Sequence, residues 1–232
     1  MTPEEIMARV LHRDGLMLVI DKPAGLPVHR GPKGGESLED HFDALRFGLP
    51  RAPALAHRLD RETSGCLVLG RHRKALASLG LLFKHGKVRK TYWAVVEGGP
   101  EADGGTIDLA LGRLDPSRGW WMKPDPAGLP SLTTWKVMGR GMDAGGKPLT
   151  WVALEPITGR THQLRVHCGA MGWPILGDNI YGNGPRFGGP GLHLHARDIA
   201  VPISKNRDPV HVTAPLPVHM RDAFAACGWH NQ

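Results

Sequence analysis

Cysteine is scarce in this chain, and apolar runs of membrane length are absent. The 232 residues include only three cysteines, Cys66, Cys168 and Cys227, with no close spacing between them. An odd number at wide spacing argues against a disulfide framework and against a CxxC zinc knuckle. No apolar run approaches the roughly 20 residues that cross a bilayer, and the first residues lack the apolar stretch of a signal peptide. We therefore expect a cytoplasmic protein that does not enter a membrane.

The chain also lacks Gly/Ser tracts and unbroken charge blocks, so its composition marks no disordered linker. Its 31 glycines and 20 prolines instead predict many ordered turns. The length of 232 residues, 41% of them hydrophobic, predicts a single domain over 1–232. The net charge of +7 favours a polyanionic partner such as nucleic acid, although charge that serves only solubility explains it about as well.

Short β-rich segments alternate irregularly with helical ones. Strands are predicted over residues 16–20, 66–69, 91–96, 133–137, 150–154 and 199–201. The first predicted helix begins at Ser37, with Asp40 in a near capping box, and ends before Gly48. A second helix is predicted over 74–83, a third from near Thr161, and a fourth from about Pro217 to Gly228. Because no βαβ period or internal repeat is visible, we predict an α+β fold with a mixed, mostly antiparallel central sheet and flanking helices.

The segment between Gly98 and Gly146 has the weakest pattern. Gly, Pro and Asp crowd there around the pair Trp120 and Trp121. Such a pair can stack on exposed bases, but Trp in a Pro-rich connection more often packs against its own domain, and we assign it no function.

One segment sets a carboxylate among cations. In AHRLDRETSGCLVLG, residues 56–70, Asp60 follows His57 and Arg58 and precedes Arg61 and a Thr-Ser-Gly turn. Nearby positive charge favours the ionised carboxylate, which is then available as a nucleophile or base. On composition alone, a solvated ion pair at a strand entrance is the more usual explanation.

The longer string HRLDRETSG resembles the catalytic signature HRLDxxTSG of the RluA family of pseudouridine synthases. LMLVIDKPAGLPVH (16–29) is similar to the family's opening strand and lysine-proline turn, and KTYWAVVEG (90–98) to its tyrosine motif. PITGRTHQLRVHCGAMGWPILGD (156–178) is similar to the arginine motif, and LHLHA (192–196) completes the set in the family's order. The resemblance implies a pseudouridine synthase fold with a basic RNA-binding cleft, which isomerises uridine in RNA without a cofactor.

The resemblance also implies three catalytic residues. Asp60 matches the aspartate that initiates breakage of the glycosidic bond, by attack on the base, attack on the sugar, or removal of a ribose proton. Tyr92 matches the tyrosine that packs against uracil and helps with the C5 proton, although by itself it is an ordinary half-buried strand tyrosine. Arg165 matches the arginine that pairs with the catalytic aspartate and keeps it charged.

The remaining site residues are expected to bind substrate. Arg58 matches the arginine that fills the space left by an extruded nucleotide, and His57 precedes it in the motif. Leu194 matches an apolar position of the uracil pocket, although it equally fits plain core. Arg160 and His162 adjoin a helix N-terminus whose free N–H groups attract phosphate, although solvated first-turn charges are equally consistent with their position.

Two other classes of function remain open. The HxH pair His193 and His195, with His162, His167 and Cys168 elsewhere, allows a zinc hydrolase, but no HExxH or paired CxxC motif supports one. A basic module that binds RNA without chemistry is the other alternative, but it has no need of a carboxylate inside a basic motif.

The position of the opening strand bears on how RNA is recognised. The opening strand begins by Leu16, so we expect no S4 RNA-binding domain before it. Compact members of the family modify ribosomal RNA, transfer RNA or both. We therefore expect an RNA stem-loop as the partner and, by default, a monomer.

Overall fold

The structure is a computed structural model that describes residues 1–31, 34–115, 120–185, 187–204 and 206–230. In chain order its helices and strands are α1 (Pro3–Met7), β1 (Val10–Arg13), β2 (Met17–Lys22), a 3-10 helix (Leu38–Leu45), β3 (Ala54–Leu55), β4 (Ser64–Gly70), α2 (Arg73–Lys84), β5 (Arg89–Glu97), β6 (Gly104–Asp108), β7 (Leu111–Arg113), β8 (Met122–Pro124), β9 (Leu132–Met142), β10 (Pro148–Pro156), α3 (Gln163–Ala170), β11 (Leu194–Val201), β12 (Val210–Thr213), a 3-10 helix (Val218–Met220) and α4 (Arg221–Ala226). The chain divides into two compact units, Met1–Lys90 with Ala196–Pro215 and Thr91–His195 with Leu216–Gln232.

The first unit is built on the strand order β1-β2-β4-β11, with β3 also paired to β4 and β12 to β11. Strand β4 is buried along its whole length, and β2 is buried except at Asp21, as expected for apolar strands at the centre of a sheet. They pair antiparallel from Met17 opposite Gly70 to Lys22 opposite Gly65. This register places Lys22 at the end of β2 beside the first residues of β4, next to the segment that carries Asp60.

The glycine of the Thr-Ser-Gly turn, Gly65, is required by the local backbone geometry. Its φ is +104°, a conformation that side chains other than glycine rarely adopt. A Cβ at this position would also overlap the backbone carbonyl group of Ala196. Only glycine lets β4 begin so close to its neighbouring strand.

The second unit has the strand order β5-β10-β9-β6, and β7 and β8 form a separate two-stranded sheet. Its largest core cluster lies under β5, β10 and α3 and contains Ala94, Val96, Ile107, Val152, Leu154, Leu164, Cys168, Trp173, Ile175, Leu192 and Leu194. A second cluster packs α4 on the sheet through Trp151 and Phe224, whose ring centroids are 5.6 Å apart. These contacts fix β5 and α3, which carry Tyr92 and Arg165.

The predicted α+β fold with a mixed, mostly antiparallel sheet is confirmed. Antiparallel registers join β1 with β2, β2 and β3 with β4, β5 and β9 with β10, β6 with β9, β7 with β8, and β11 with β12. Each predicted strand lies within or overlaps an observed one, and the prediction over 74–83 matches α2. The segment from Ser37 forms a 3-10 helix instead of an α-helix, although the capping box with Asp40 is present. The third helix begins at Gln163, two residues later than predicted, because His162 adopts a left-handed conformation. In the part of the chain that the structure describes, no helix is long and apolar enough to cross a membrane.

Candidate active site

In the first unit, the loop that carries Asp60 is fastened by a lysine with no exposed surface. The Nζ atom of Lys22 donates hydrogen bonds to the carbonyl oxygens of Pro23 (2.7 Å), Arg61 (2.9 Å) and Thr63 (2.9 Å). Three acceptors match the three N–H donors of an ammonium group. Burial lowers the pKa of Lys22 to about 7, against the opposing effect of the carboxylates of Glu62, Asp60 and Asp21. Lys22 was not among the site residues predicted from the sequence.

Further backbone bonds complete the loop. Arg61 exchanges two hydrogen bonds with Gly25: the Gly25 N–H donates to the Arg61 carbonyl (2.9 Å), and Arg61 Nε donates to the Gly25 carbonyl (2.8 Å). The Thr63 N–H donates to the carbonyl oxygen of Asp60 (3.1 Å), which closes a turn directly after the aspartate. The Asp60 side chain is half-buried, while the Arg58 side chain is exposed.

His57 supports the same loop from inside the unit. Its Nε2 accepts a hydrogen bond from the Val68 N–H (3.0 Å), and its ring stacks on Phe83 of α2 with centroids 4.3 Å apart. Burial, with a smaller effect from the positive charge of Lys90, lowers the pKa of His57 to about 3. The ring is therefore neutral at physiological pH. Its contacts with Val68 of β4 and Phe83 of α2 hold the start of the loop that carries Arg58 and Asp60.

In the second unit, Tyr92 and Leu194 belong to the same apolar cluster. Leu194 is only 3% exposed and is part of the core, and the half-buried Tyr92 packs against that core from β5. Leu164, the neighbour of Arg165 in α3, is in the cluster as well. The structure therefore brings Tyr92 and Leu194 together, with the arginine motif anchored in the same core.

Arg165 is held by a carboxylate that was not among the predicted site residues. Its Nε and Nη2 donate to Oδ2 and Oδ1 of Asp178, both at 2.8 Å, and both side chains are buried. The N–H groups of Ile180 and Tyr181 also donate to Asp178. Burial alone would raise the pKa of Asp178, but the hydrogen bonds and charge of Arg165 outweigh it and hold that pKa below its usual value. A bidentate pair fixes the guanidinium plane, which a single contact would not do.

Tyr181 links Arg165 to His162. The Arg165 guanidinium carbon lies 5.2 Å from the centre of the Tyr181 ring, and the Tyr181 hydroxyl is 2.8 Å from Nδ1 of His162. The same hydroxyl accepts a hydrogen bond from the Met122 N–H at 3.0 Å. His162 occupies the N-cap of α3 with φ of +53°, and Trp120 meets its ring edge-on at 5.0 Å while remaining 55% exposed. Trp120, to which no function was assigned, thus packs against the predicted site residue His162.

Gln163 fixes the approach to α3. Its buried amide oxygen accepts from Thr158 Oγ1 (2.7 Å) and from the Arg160 N–H (3.0 Å), and its nitrogen donates to the Leu132 carbonyl and to Thr133 Oγ1, both at 3.0 Å. The Arg160 side chain lies across the surface, with Nε donating to the Pro130 carbonyl at 3.2 Å. Gln163 therefore fixes the backbone at Arg160, two residues before His162.

The histidines proposed as alternative metal ligands have other partners. Nδ1 of His167 is 3.0 Å from Thr133 Oγ1, its Nε2 is 3.1 Å from the Leu109 carbonyl, and Nδ1 of His193 is 2.8 Å from the Gly191 carbonyl. Within the described ranges, no group of three His, Cys, Asp or Glu side chains could hold a metal ion.

The predicted residues fall into two sets, one in each unit. His57, Arg58 and Asp60 share the loop anchored by Lys22, whereas Tyr92, Arg160, His162, Arg165 and Leu194 lie in the second unit. Four supporting residues were not predicted from the sequence: Lys22, Gln163, Asp178 and Tyr181. Asp178 had a visible signal, because it is the last residue of the arginine motif.

The chain resembles known proteins over most of its length. The family model described as RNA pseudouridylate synthase matches residues 16–170. An uncharacterized RNA pseudouridine synthase of Zymomonas mobilis is 42% identical over 218 residues, which cover 92% of this chain and 96% of that protein. The dual-specificity RNA pseudouridine synthase RluA of Vibrio vulnificus is 36% identical over 202 residues, which cover 85% of this chain and 79% of that protein.

A solved structure agrees with these sequence matches. The structure of human RNA pseudouridylate synthase domain containing 1 is 31% identical, with a TM-score of 0.76, and the match covers 93% of this chain and 85% of that chain. Signature, fold and relatives therefore agree, and this chain belongs to the RluA family of RNA pseudouridine synthases.

Proposed function

We propose that this enzyme isomerises uridine in structured ribosomal RNA, transfer RNA or both, with Asp60 as the catalytic residue. The proposal rests on the position of Asp60: it lies in the HRLDRETSG signature, in a loop whose Arg61 and Thr63 carbonyls accept hydrogen bonds from a fully buried lysine. A catalytic carboxylate has to be held in a fixed position.

The reaction needs little besides positioning and charge. The N1–C1′ bond breaks, a C5–C1′ bond forms, and the base loses a proton at C5 and gains one at N1. No atom or electron is gained or lost overall, so a carboxylate, a held base and fixed charges suffice without a cofactor. Asp60 starts the cleavage of the glycosidic bond by one of the three routes named above.

Tyr92 and Arg165 complete the proposed catalytic set. Tyr92 provides an aromatic face for uracil and a hydroxyl for the C5 proton. Arg165 stabilises negative charge on a carboxylate, and its bidentate pair with Asp178 keeps the guanidinium plane in one orientation. Asp178 is thus a positioning residue in this proposal.

The other residues contact the RNA or support those that do. Arg58, whose side chain is exposed, occupies the space left by the extruded nucleotide. His57 fixes the backbone next to Arg58 through its hydrogen bond with the Val68 N–H. Leu194, which is almost fully buried, forms part of the apolar core behind the proposed uracil pocket. Arg160 and His162 bind phosphate beside α3.

We propose a monomer acting as one catalytic domain in the cytoplasm, on an RNA stem-loop. The three cysteines are free and buried, as expected of a chain kept in a reducing compartment. The Vibrio vulnificus relative is named as dual-specificity, which is a reason to test ribosomal and transfer RNA together.

The test is a pseudouridine map of ribosomal and transfer RNA from cells that lack the gene, complemented with wild type or with Asp60→Asn. We expect one or a few sites to disappear without the gene and to return only with wild type. The Asn variant should still bind RNA, because it removes only the acidic function.

Other outcomes discriminate the alternatives. A map that does not change when the gene is removed would favour RNA binding without chemistry. Restoration of the sites by Asp60→Asn would assign catalysis to a different residue.

A further inference from the structure

The excess of positive over negative charge in this chain equals the charge of one segment. From Arg71 to Val96 the sequence contains seven Lys and Arg residues and no Asp or Glu. The other Lys and Arg residues, 22 of 29, equal the 22 Asp and Glu of the whole chain. The net charge of +7 therefore comes from these residues, and the cations are spaced too widely to stand out as a charge block.

Most of these cations are exposed. Arg71 is used inside the first unit, where it donates to the carbonyls of Asp14, Arg46 and Phe47, and Lys90 is half-buried. The exposed members lie on α2 and in the residues that follow it: Arg73, Lys74, Lys84, Lys87 and Arg89.

Helix geometry aligns the cations at the two ends of α2. Arg73 and Lys84 are eleven positions apart, about three turns, so they lie on the same face about 16 Å apart. Between them this face carries the exposed small residues Ala77 and Gly80, and a Cβ added at Gly80 would meet nothing within 4 Å. The opposite face buries Ala75 and Leu79. The outer face is therefore open to a close-approaching polymer and cationic at both ends.

The fold gains little from this charge, since only Lys84 lies at the C-terminal end of α2, where the helix dipole favours a cation. Arg73 and Lys74 occupy the first turn of α2, the positive end of the helix dipole, and no acidic residue offsets them there. Among the described residues, no carboxylate lies within ion-pair distance of any of the five exposed cations, whereas Arg30, Arg46 and Arg140 elsewhere pair with Asp40, Asp43 and Asp103. These exposed cations have no carboxylate partner among the described residues, and Arg73 and Lys74 lie at the helix end that disfavours positive charge, so they suit an external anion.

We propose that the outer face of α2, continued through Lys87 and Arg89, is a docking surface for the phosphate backbone of the substrate RNA. This inference rests on the proposed function, since it concerns RNA that flanks the target uridine. Phosphate contacts of this kind set affinity and orientation without reading sequence.

The test compares two triple variants with the same change in net charge. Arg73→Gln, Lys84→Gln and Lys87→Gln together remove charge from the proposed surface. Arg30→Gln, Arg46→Gln and Arg140→Gln together remove the same charge from surface ion pairs. Binding of a uridine-loop RNA hairpin is measured over a salt series, and kcat and KM are measured on unfractionated ribosomal and transfer RNA from cells lacking the gene.

We expect the α2 triple variant to bind the hairpin about tenfold more weakly or worse, and its slope of log K against log salt to become shallower by about 2 to 3. Its KM should rise while kcat at saturating RNA stays near wild type, because no catalytic residue is changed. Ala77→Glu, which adds bulk and negative charge between the two helix ends, should have the same effect. The control triple variant should differ little from wild type in slope and in KM.

Equal weakening in both triple variants would overturn the proposal, because affinity would then follow net charge alone. Unchanged RNA binding with loss of binding to phosphatidylglycerol vesicles would also overturn it, in favour of a lipid surface. If wild type forms no pseudouridine in any RNA, the proposed function fails, while the hairpin measurements still decide whether α2 docks RNA.

Discussion

The Nζ atom of Lys22 lies 2.9 Å from the carbonyl oxygen of Arg61, the residue directly after Asp60. The two residues are 39 positions apart, so this contact exists only in the folded first unit. Together with the bonds to Pro23 and Thr63, it fixes the loop that carries the proposed catalytic carboxylate. Lys22 therefore determines the loop's geometry without any exposed surface of its own.

Lys22→Met should reduce kcat strongly while leaving RNA affinity nearly unchanged. Methionine fills a similar volume but donates no hydrogen bond, so three carbonyls lose their partner, each at a cost of about 1–3 kcal/mol. We expect kcat to fall at least about tenfold because Asp60 is no longer held. Single-turnover kinetics at saturating RNA measure this effect, with the exposed Lys147→Met as a control. A fully active Lys22→Met enzyme would contradict the anchoring role.

The buried lysine should also make stability depend on pH. Burial lowers the pKa of folded Lys22 to about 7 from 10.5, so between these values the folded chain binds fewer protons than the unfolded chain. Its contribution to the free energy of unfolding must therefore rise with pH across this window. From pH 7 to about 9, wild type should gain about 2 kcal/mol relative to Lys22→Met. Urea unfolding of both proteins gives this difference, and a pH-independent difference would show that Lys22 stays charged.

Removing the charge of Asp178 should unfold the site around Arg165. Asp178→Asn leaves a buried guanidinium without its carboxylate, which costs about 3–5 kcal/mol. We expect a lower Tm and loss of pseudouridine formation, while the exposed Glu101→Gln changes neither. Replacing the pair by Arg165→Met with Asp178→Leu should recover much of the stability without activity, and recovery of both would exclude a catalytic role for Arg165.

The two glycines Gly65 and Gly80 should respond oppositely to alanine. Gly65→Ala places a Cβ against the Ala196 carbonyl at a positive φ, and we expect it to lower the free energy of unfolding by about 3 kcal/mol or more. Gly80→Ala lies in open space inside α2 and should raise it by about 0.5–1 kcal/mol. Denaturant melts of both variants test the pair, and equal stability of Gly65→Ala and wild type would mean that the strands separate locally.

The sequence predicted those parts of the fold that depend on residues close together in the chain. The strand from Cys66 is a run of apolar residues, and α2 is marked by apolar spacing and a terminal glycine, so both were found. The helix predicted from near Thr161 begins only at Gln163, because His162 before it has a left-handed backbone conformation. No local sequence pattern predicts that conformation for a histidine.

The supporting residues of the site were not predictable in the same way. Lys22 binds a carbonyl 41 residues away, at Thr63, and Arg165 binds Asp178, 13 residues further along the chain and beyond the end of α3. Such contacts depend on tertiary packing, which hydrophobic periodicity and secondary-structure propensity do not predict. Motif resemblance named Asp60, Tyr92 and Arg165 but gave no account of what holds them.

The buried thiols have a practical consequence for experiments on this enzyme. Burial raises the pKa of Cys66 to about 12 and raises the pKa of Cys168 and Cys227 as well, so the thiolate that reacts with maleimides is scarce at neutral pH. A cysteine introduced at Ala77 would therefore be labelled selectively without removal of the native ones. The wild-type core can thus stay intact while a photo-crosslinker on α2 reports which nucleotides of a bound RNA pass over the helix.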